Sequence, residues 1–188
     1  MAERAAEILR ILDFDIENRP LAYWYDGMTT AEVTVIAACW MHDPKSMKVW
    51  LLGQDEPTAM LTGFRAMYDE AEMVTGHYIR RHDLPILNGA MLEQGMPTLG
   101  EKLTCDTKMD LTKRKDISAS LEELAVMFGL DSRKAHMSNT DWREANRLRP
   151  GGLKKARDRA VSDVRLHMEI YRKLVDGDYL SAPKMWRP

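Results

Sequence analysis

Between Val33 and Met41 the chain reads Val-Thr-Val-Ile-Ala-Ala-Cys-Trp-Met. A run this poor in polar residues fits a strand buried on both faces and therefore central in a sheet. Ile8 to Ile16 alternates apolar residues with Arg10, Asp13 and Asp15, and is read as a first strand preceded by a helical turn over Ala2 to Glu7. Pro20 is expected to stop that strand from continuing as a regular ladder, because proline has no N–H to donate. Asp43-Pro44-Lys45-Ser46 has turn chemistry, and Met47 to Leu52 returns as a third strand. Three antiparallel strands thus open the chain.

The pattern then changes to alternating helices and strands. Asp55 is expected to cap a helix starting near Pro57, with Leu61, Phe64, Met67 and Tyr68 at helical spacing. Ala71 to Thr75, ending in Gly76, reads as a fourth strand, and Leu84 to Gln94 as a helix stopped by Gly95 and Pro97. Leu103 to Asp106 is a short fifth strand. Ser120 and Glu123 form a candidate capping box for a helix over Leu121 to Phe128. A polar, basic connection from Asp131 to Gly152 leads to a last helix, Leu153 to Val175, whose apolar stripe includes Ala156, Val164, Met168 and Tyr171. Strands first, then alternation, predict an α/β domain with a mixed five-stranded sheet and flanking helices. One domain is expected over 1–188, with its core at about 8–175.

The first apolar stretch is interrupted by charge, so it does not read as a signal peptide, and no run reaches the roughly 20 apolar residues that span a bilayer. Cys39 and Cys105 match no zinc spacing and are read as reduced core residues. A cytoplasmic protein without a membrane partner is expected. The net charge of −2 hides an uneven distribution. From Arg133 to Arg165 there are ten Lys or Arg residues against four acids, Asp141, Glu144, Asp158 and Asp163. Such a segment in an otherwise acidic chain suits a phosphate-bearing ligand or, equally, a solvated helix face.

Four acids carry the candidate chemistry. Asp15 and Glu17 end the first strand two residues apart, so their carboxylates share a face, and hard oxygen donors suit Mg²⁺ or Mn²⁺. Asp13 is expected on the opposite face. Asp83 starts a helix, where aspartate commonly serves as a cap. Asp163 sits mid-helix, where its propensity is poor, beside the apolar stripe.

Phe-Asp-Ile-Glu at 14–17, Gly-His-Tyr-Ile-Arg-Arg-His-Asp-Leu-Pro-Ile-Leu at 76–87 and Arg-Ala-Val-Ser-Asp-Val-Arg-Leu at 159–166 follow one another in the order of three exonuclease motifs. They resemble the DnaQ-like, DEDD-type 3′–5′ exonucleases, in particular the proofreading domains of family B polymerases and related stand-alone phage enzymes. The resemblance implies a ribonuclease H-like fold and a metal site made by Asp15, Glu17, Asp83 and Asp163. It implies two Mg²⁺ or Mn²⁺ ions about 4 Å apart, promoting in-line hydrolysis of a phosphodiester at a free 3′ end. Single-stranded DNA is favoured over RNA, with a polymerase as a partner in trans. Asn18 and Arg19 lie where family members contact the terminal nucleotide, and His77 and Arg159 are further candidate substrate contacts.

The sequence departs from the family at one place. Members carry a Tyr four residues before the last Asp, or a His five before it, to orient the attacking water. Here those positions hold Arg159 and Asp158. Arg159 suits a phosphate by its bidentate guanidinium, and Asp158 either orients water or faces solvent. The alternative is a catalytically weakened nucleic-acid-binding or polymerase-associated factor on the same fold. His167 is read as a helix-surface residue, Asp106 as a turn or cap, and Trp40 as packing. Trp24 and Tyr25 are candidate base-stacking residues.

Overall fold

The computed structural model describes residues 9–21 and 30–188; the expected helical turn over Ala2 to Glu7, and Trp24 and Tyr25, lie outside them. Three antiparallel strands come first: β1 (Ile11–Leu21), β2 (Thr30–Trp40) and β3 (Asp43–Leu51). Then follow α1 (Pro57–Glu70), β4 (Met73–Gly76), α2 (Asp83–Glu93) and β5 (Lys102–Asp106). The chain continues through α3 (Thr107–Leu111), α4 (Leu121–Met127), α5 (Asn139–Asn146), α6 (Pro150–Asp176) and β6 (Lys184–Trp186). Among the described residues the sheet is mixed, with six strands in the order β3-β2-β1-β4-β5-β6. The parallel pairs are β1–β4 and β4–β5.

Strand periodicity sorts β1 and β2 onto two faces. Leu12, Phe14, Ile16, Ile36 and Ala38 pack against α1 and α2 through Leu61, Phe64, Leu84 and Leu87. Val35, Ala37 and Cys39 pack on the other side against Leu153, Ala156, Ala160, Val164 and Met168 of α6. Removing each such large apolar side chain from water is worth about 1.5–3 kcal/mol. The α6 stripe has spacings of three and four, so residues between its members, Asp163 and His167, also face the sheet. Small residues let α5 and α6 meet: a Cβ on Gly152 would lie 2.2 Å from the Ala145 backbone nitrogen.

Several expectations change. The sheet has a sixth strand, Lys184–Trp186, too short for alternation to reveal. β1 runs through Pro20, paired to Ala31; β4 flanks β1 only over Ile11–Asp13, so on that side the missing N–H of Pro20 faces no β4 strand. Asp43 to Ser46 belongs to β3, the turn being at Met41 and His42. Asp55 accepts a hydrogen bond from the Leu51 amide, and Glu56 is the N-cap of α1. Ser120 makes no side-chain cap; the capping box is Ser138 with Asp141, at the start of a helix inside the expected connection. Both cysteines are buried and free. Among the described residues no helix is long and apolar enough to cross a membrane.

Candidate metal centre

The middle of β1 and the middle of α6 bring three carboxylates together. One oxygen each from Asp15, Glu17 and Asp163 lie within 4.8 Å of one another. Asp83 opens α2 beside them. Since β4 ends its pairing at Asp13, the Ile16 amide has no β4 partner there and donates to Asp83 Oδ1 at 3.1 Å. His82 Nδ1 is 3.3 Å from the other Asp83 oxygen. His82, not Asp83, is the N-cap of α2; the Asp83 side chain bonds to β1, which fixes the second motif against the first.

Burial and mutual repulsion dominate the electrostatics. Asp15 is pushed well above the ordinary carboxylate range by burial, then by Asp83, Glu17 and Asp163. Burial pushes Glu17 up to about 7, opposed by Arg159. Asp163 is raised by burial and opposed by Lys134, and Asp83 is raised by burial and opposed by its hydrogen bond with His82. Asp163 Oδ1 is buried and has no hydrogen-bond partner among the described residues. Crowded carboxylates with an oxygen left over are a donor set that a divalent cation would complete.

Two cations touch the cluster. Lys134 Nζ is 2.6 Å from Asp163 Oδ2. Arg159 Nε is 3.3 Å from Glu17 Oε1 and 4.0 Å from Asp163 Oδ2, with its guanidinium 5.5 Å from the Trp142 ring centre. Both also line a cleft of about 420 Å³ that includes His77, Lys108 and Glu122. Asp158 is turned outward to Lys154 at 2.8 Å and does not approach the acids. Lys134 lies outside the three motifs; its only sequence signal is membership of the basic segment.

Asp13 and His167 depart most from expectation. Residues 13, 15 and 17 share one face by strand period, so Asp13 points to α6 rather than away from it. His167 is core, not surface: its Nδ1 meets Asp13 Oδ2 at 2.5 Å and its Nε2 meets Thr107 Oγ1 at 2.9 Å. Thr107 in turn meets His77 Nδ1 at 3.0 Å, so a buried polar chain runs from β1 to the cleft wall. Burial, then His167, lowers His77 to about 3, so it is neutral.

The other predicted substrate residues lie at the end of β1. A register shift follows Glu17, and Asn18 sits at it. Arg19 pairs with Glu32 at 2.5 Å and donates to the Asn146 carbonyl at 2.9 Å, so it braces α5 instead of reaching the acids. Asp106 does act as a cap, and more: it accepts from the amides of Tyr78, Arg80 and Met109. This holds Tyr78 at a φ of 83°, a left-handed conformation rare for a bulky residue. Trp40 packs against the core cluster, as expected.

No protein-family model matches the chain, and no curated protein matches it. Among solved structures the chain is similar to the family B DNA polymerase of the hyperthermophilic archaeon Pyrobaculum calidifontis, with a TM-score of 0.67 and 17% identity. The match covers 89% of this chain and 25% of the polymerase, so the chain spans about a quarter of that protein's length. The likeness establishes the fold: α/β with a mixed sheet and flanking helices, compatible with a ribonuclease H-like form and similar to a region of that polymerase.

Proposed function

We propose that the chain is a metal-dependent 3′–5′ exonuclease that removes nucleotides from single-stranded DNA. The observation that carries this reading is the convergence of Asp15, Glu17 and Asp163 within 4.8 Å, beside a cleft lined with cations. The four carboxylates, with Asp163 Oδ1 left without a partner among the described residues, fit two Mg²⁺ or Mn²⁺ ions. Asp15, Glu17 and Asp163 would hold them, with Asp83 alongside. Bound there, the ions supply neutralisation of the acids, a more acidic water and charge stabilisation of the leaving 3′ oxygen.

The chain's own groups then bind and orient. Lys134 and Arg159 present positive charge between the acids and the cleft, where a scissile phosphate would lie. Trp142 backs the guanidinium of Arg159, and the neutral His77, fixed by Thr107, offers hydrogen bonding without charge. A cleft of about 420 Å³ suits one nucleotide at a time, hence a single strand. The products are a nucleoside monophosphate and a shortened 3′ end. A polymerase acting in trans belongs to the same proposal.

One observation favours the second reading, a binding factor with weak catalysis. Arg159 stands where the exonucleases that the sequence resembles commonly carry Tyr, and a guanidinium has donors but no acceptor with which to take a proton from water. The deciding experiment incubates 5′-labelled single-stranded DNA and RNA with Mg²⁺ or Mn²⁺, beside Asp15→Ala/Glu17→Ala and Arg159→Tyr. A ladder shortening from the 3′ end and absent in the double variant is expected. Intact strands with wild type but a ladder with Arg159→Tyr would select the binding factor.

A further inference from the structure

A second recess opens at the start of α6. Leu51, Leu148, Pro150 and Leu153 form its apolar wall, and Lys154 and Arg157 stand at its rim. Its volume is about 460 Å³, in the range of sites that take small organic groups. The recess is in register with the acids: Glu17 pairs with Val35, and Val35 pairs with Leu51. Two strand spacings put Leu51 roughly 10 Å from Glu17 along that row. Arg19 bridges the interval, because its bond to the Asn146 carbonyl ties the end of β1 to the end of α5. Leu148, two residues on, is held at a φ of 54°, an unusual backbone for a bulky residue.

The charge around the recess specifies its occupant. From Arg143 to Asp158 there are six Lys or Arg residues against two acids, Glu144 and Asp158, in a chain of net charge −2. Asp158 lies against both rim cations, 2.8 Å from Lys154 and 4.0 Å from Arg157, and all three side chains are well exposed, so these contacts cost little to exchange for phosphates. An apolar wall with a cationic rim complements a nucleotide, whose base is flat and apolar in its faces and whose phosphate is anionic.

The geometry points to a nucleotide subsite for the substrate strand upstream of its 3′ end. It rests on the exonuclease reading, in that the strand whose terminus enters the acid cluster continues past Arg19 and α5 into this recess. A base lies against Leu148 and Leu153, and Lys154 and Arg157 neutralise the phosphates on either side of it.

The test compares wild type with Lys154→Ser/Arg157→Ser and with Leu148→Gly. Fluorescence anisotropy reads the affinity for a labelled single-stranded oligonucleotide in Ca²⁺, over a series of salt concentrations. Hydrolysis of the same oligonucleotide and of the p-nitrophenyl ester of thymidine 5′-monophosphate is followed in Mn²⁺. For Lys154→Ser/Arg157→Ser the affinity is expected to fall roughly tenfold, and the log–log salt slope to flatten by about 1.4, the counterion release of two phosphate contacts. The KM for the strand rises by a similar factor relative to that for the ester, which is too small to reach the rim. Leu148→Gly, which frees the backbone while removing the wall, weakens binding at an unchanged salt slope. Wild-type affinity and slope in the double variant would overturn the subsite. Failure of wild type to hydrolyse either substrate would overturn the exonuclease reading, while the anisotropy measurement still decides the recess.

Discussion

Glu17→Gln separates the cost of gathering carboxylates from the benefit of the ion pair that Glu17 makes. Moving this carboxyl from 4.5 to about 7 corresponds to ~3 kcal/mol against the ionised form. The shift is already net of the opposing Arg159 contact, and the side chain is 15% exposed, so after a discount for solvent screening a net gain of ~2 kcal/mol remains at pH 8. The sign follows from proton binding. The folded carboxyl keeps its proton to higher pH than the unfolded one, so metal-free stability is greatest below about 4.5 and is lost as pH rises to about 7. Glutamine removes that loss. In EDTA, the variant should therefore melt ~4–8 °C above wild type at pH 8 and close to wild type at pH 5. Added Mn²⁺ should stabilise wild type more at pH 8 than at pH 5, since the ion needs the ionised acid, and should stabilise the variant little. Thermal melts at both pH values, with and without Mn²⁺, read all of this. A variant that melts lower than wild type by the same amount at both pH values would refute the reasoning, because the Arg159 pair would then outweigh the crowding.

Three further outcomes follow from particular contacts. Asp163→Ala should abolish the Mn²⁺-induced rise in melting temperature, and an undiminished rise would place the ion elsewhere. Asp106→Ala leaves the amides of Tyr78, Arg80 and Met109 without their acceptor and should cost ~3 kcal/mol or more by urea denaturation; a loss under ~1 kcal/mol would show that the loop before Asp83 is held by other contacts. Gly152→Ala drives a methyl into the α5 backbone and should cost ~3 kcal/mol, whereas Gly151→Ala, with open space at its Cβ, should be neutral or stabilising in the same denaturation experiment.

The order of the elements was legible in the sequence because it is written in short-range periodicity. The nearly continuous apolar run of β2, the alternation of β1 and the three-and-four spacing along α6 each report burial among neighbours in the chain. The carboxylates of Asp15 and Glu17 were legible for the same reason, their spacing of two setting a common face. That periodicity also contained the position of Asp13, which the expectation of an opposite face misread.

What lay outside the sequence's reach was contact between distant segments. Asp13 and His167 are 154 residues apart and meet only because α6 lies across β1. Lys134 is one basic residue among ten until the loop before α5 returns it to Asp163, and Arg19 looks free until Glu32 and Asn146 claim it. β6 has too few residues to show a period, so its pairing with β5 is decided by the sheet edge it meets. Local propensity and hydrophobic pattern are properties of neighbours along the chain, and they determined the elements and the face each acid takes. Which cation, histidine or amide meets each acid depends on how those elements pack, and only the tertiary structure decided it.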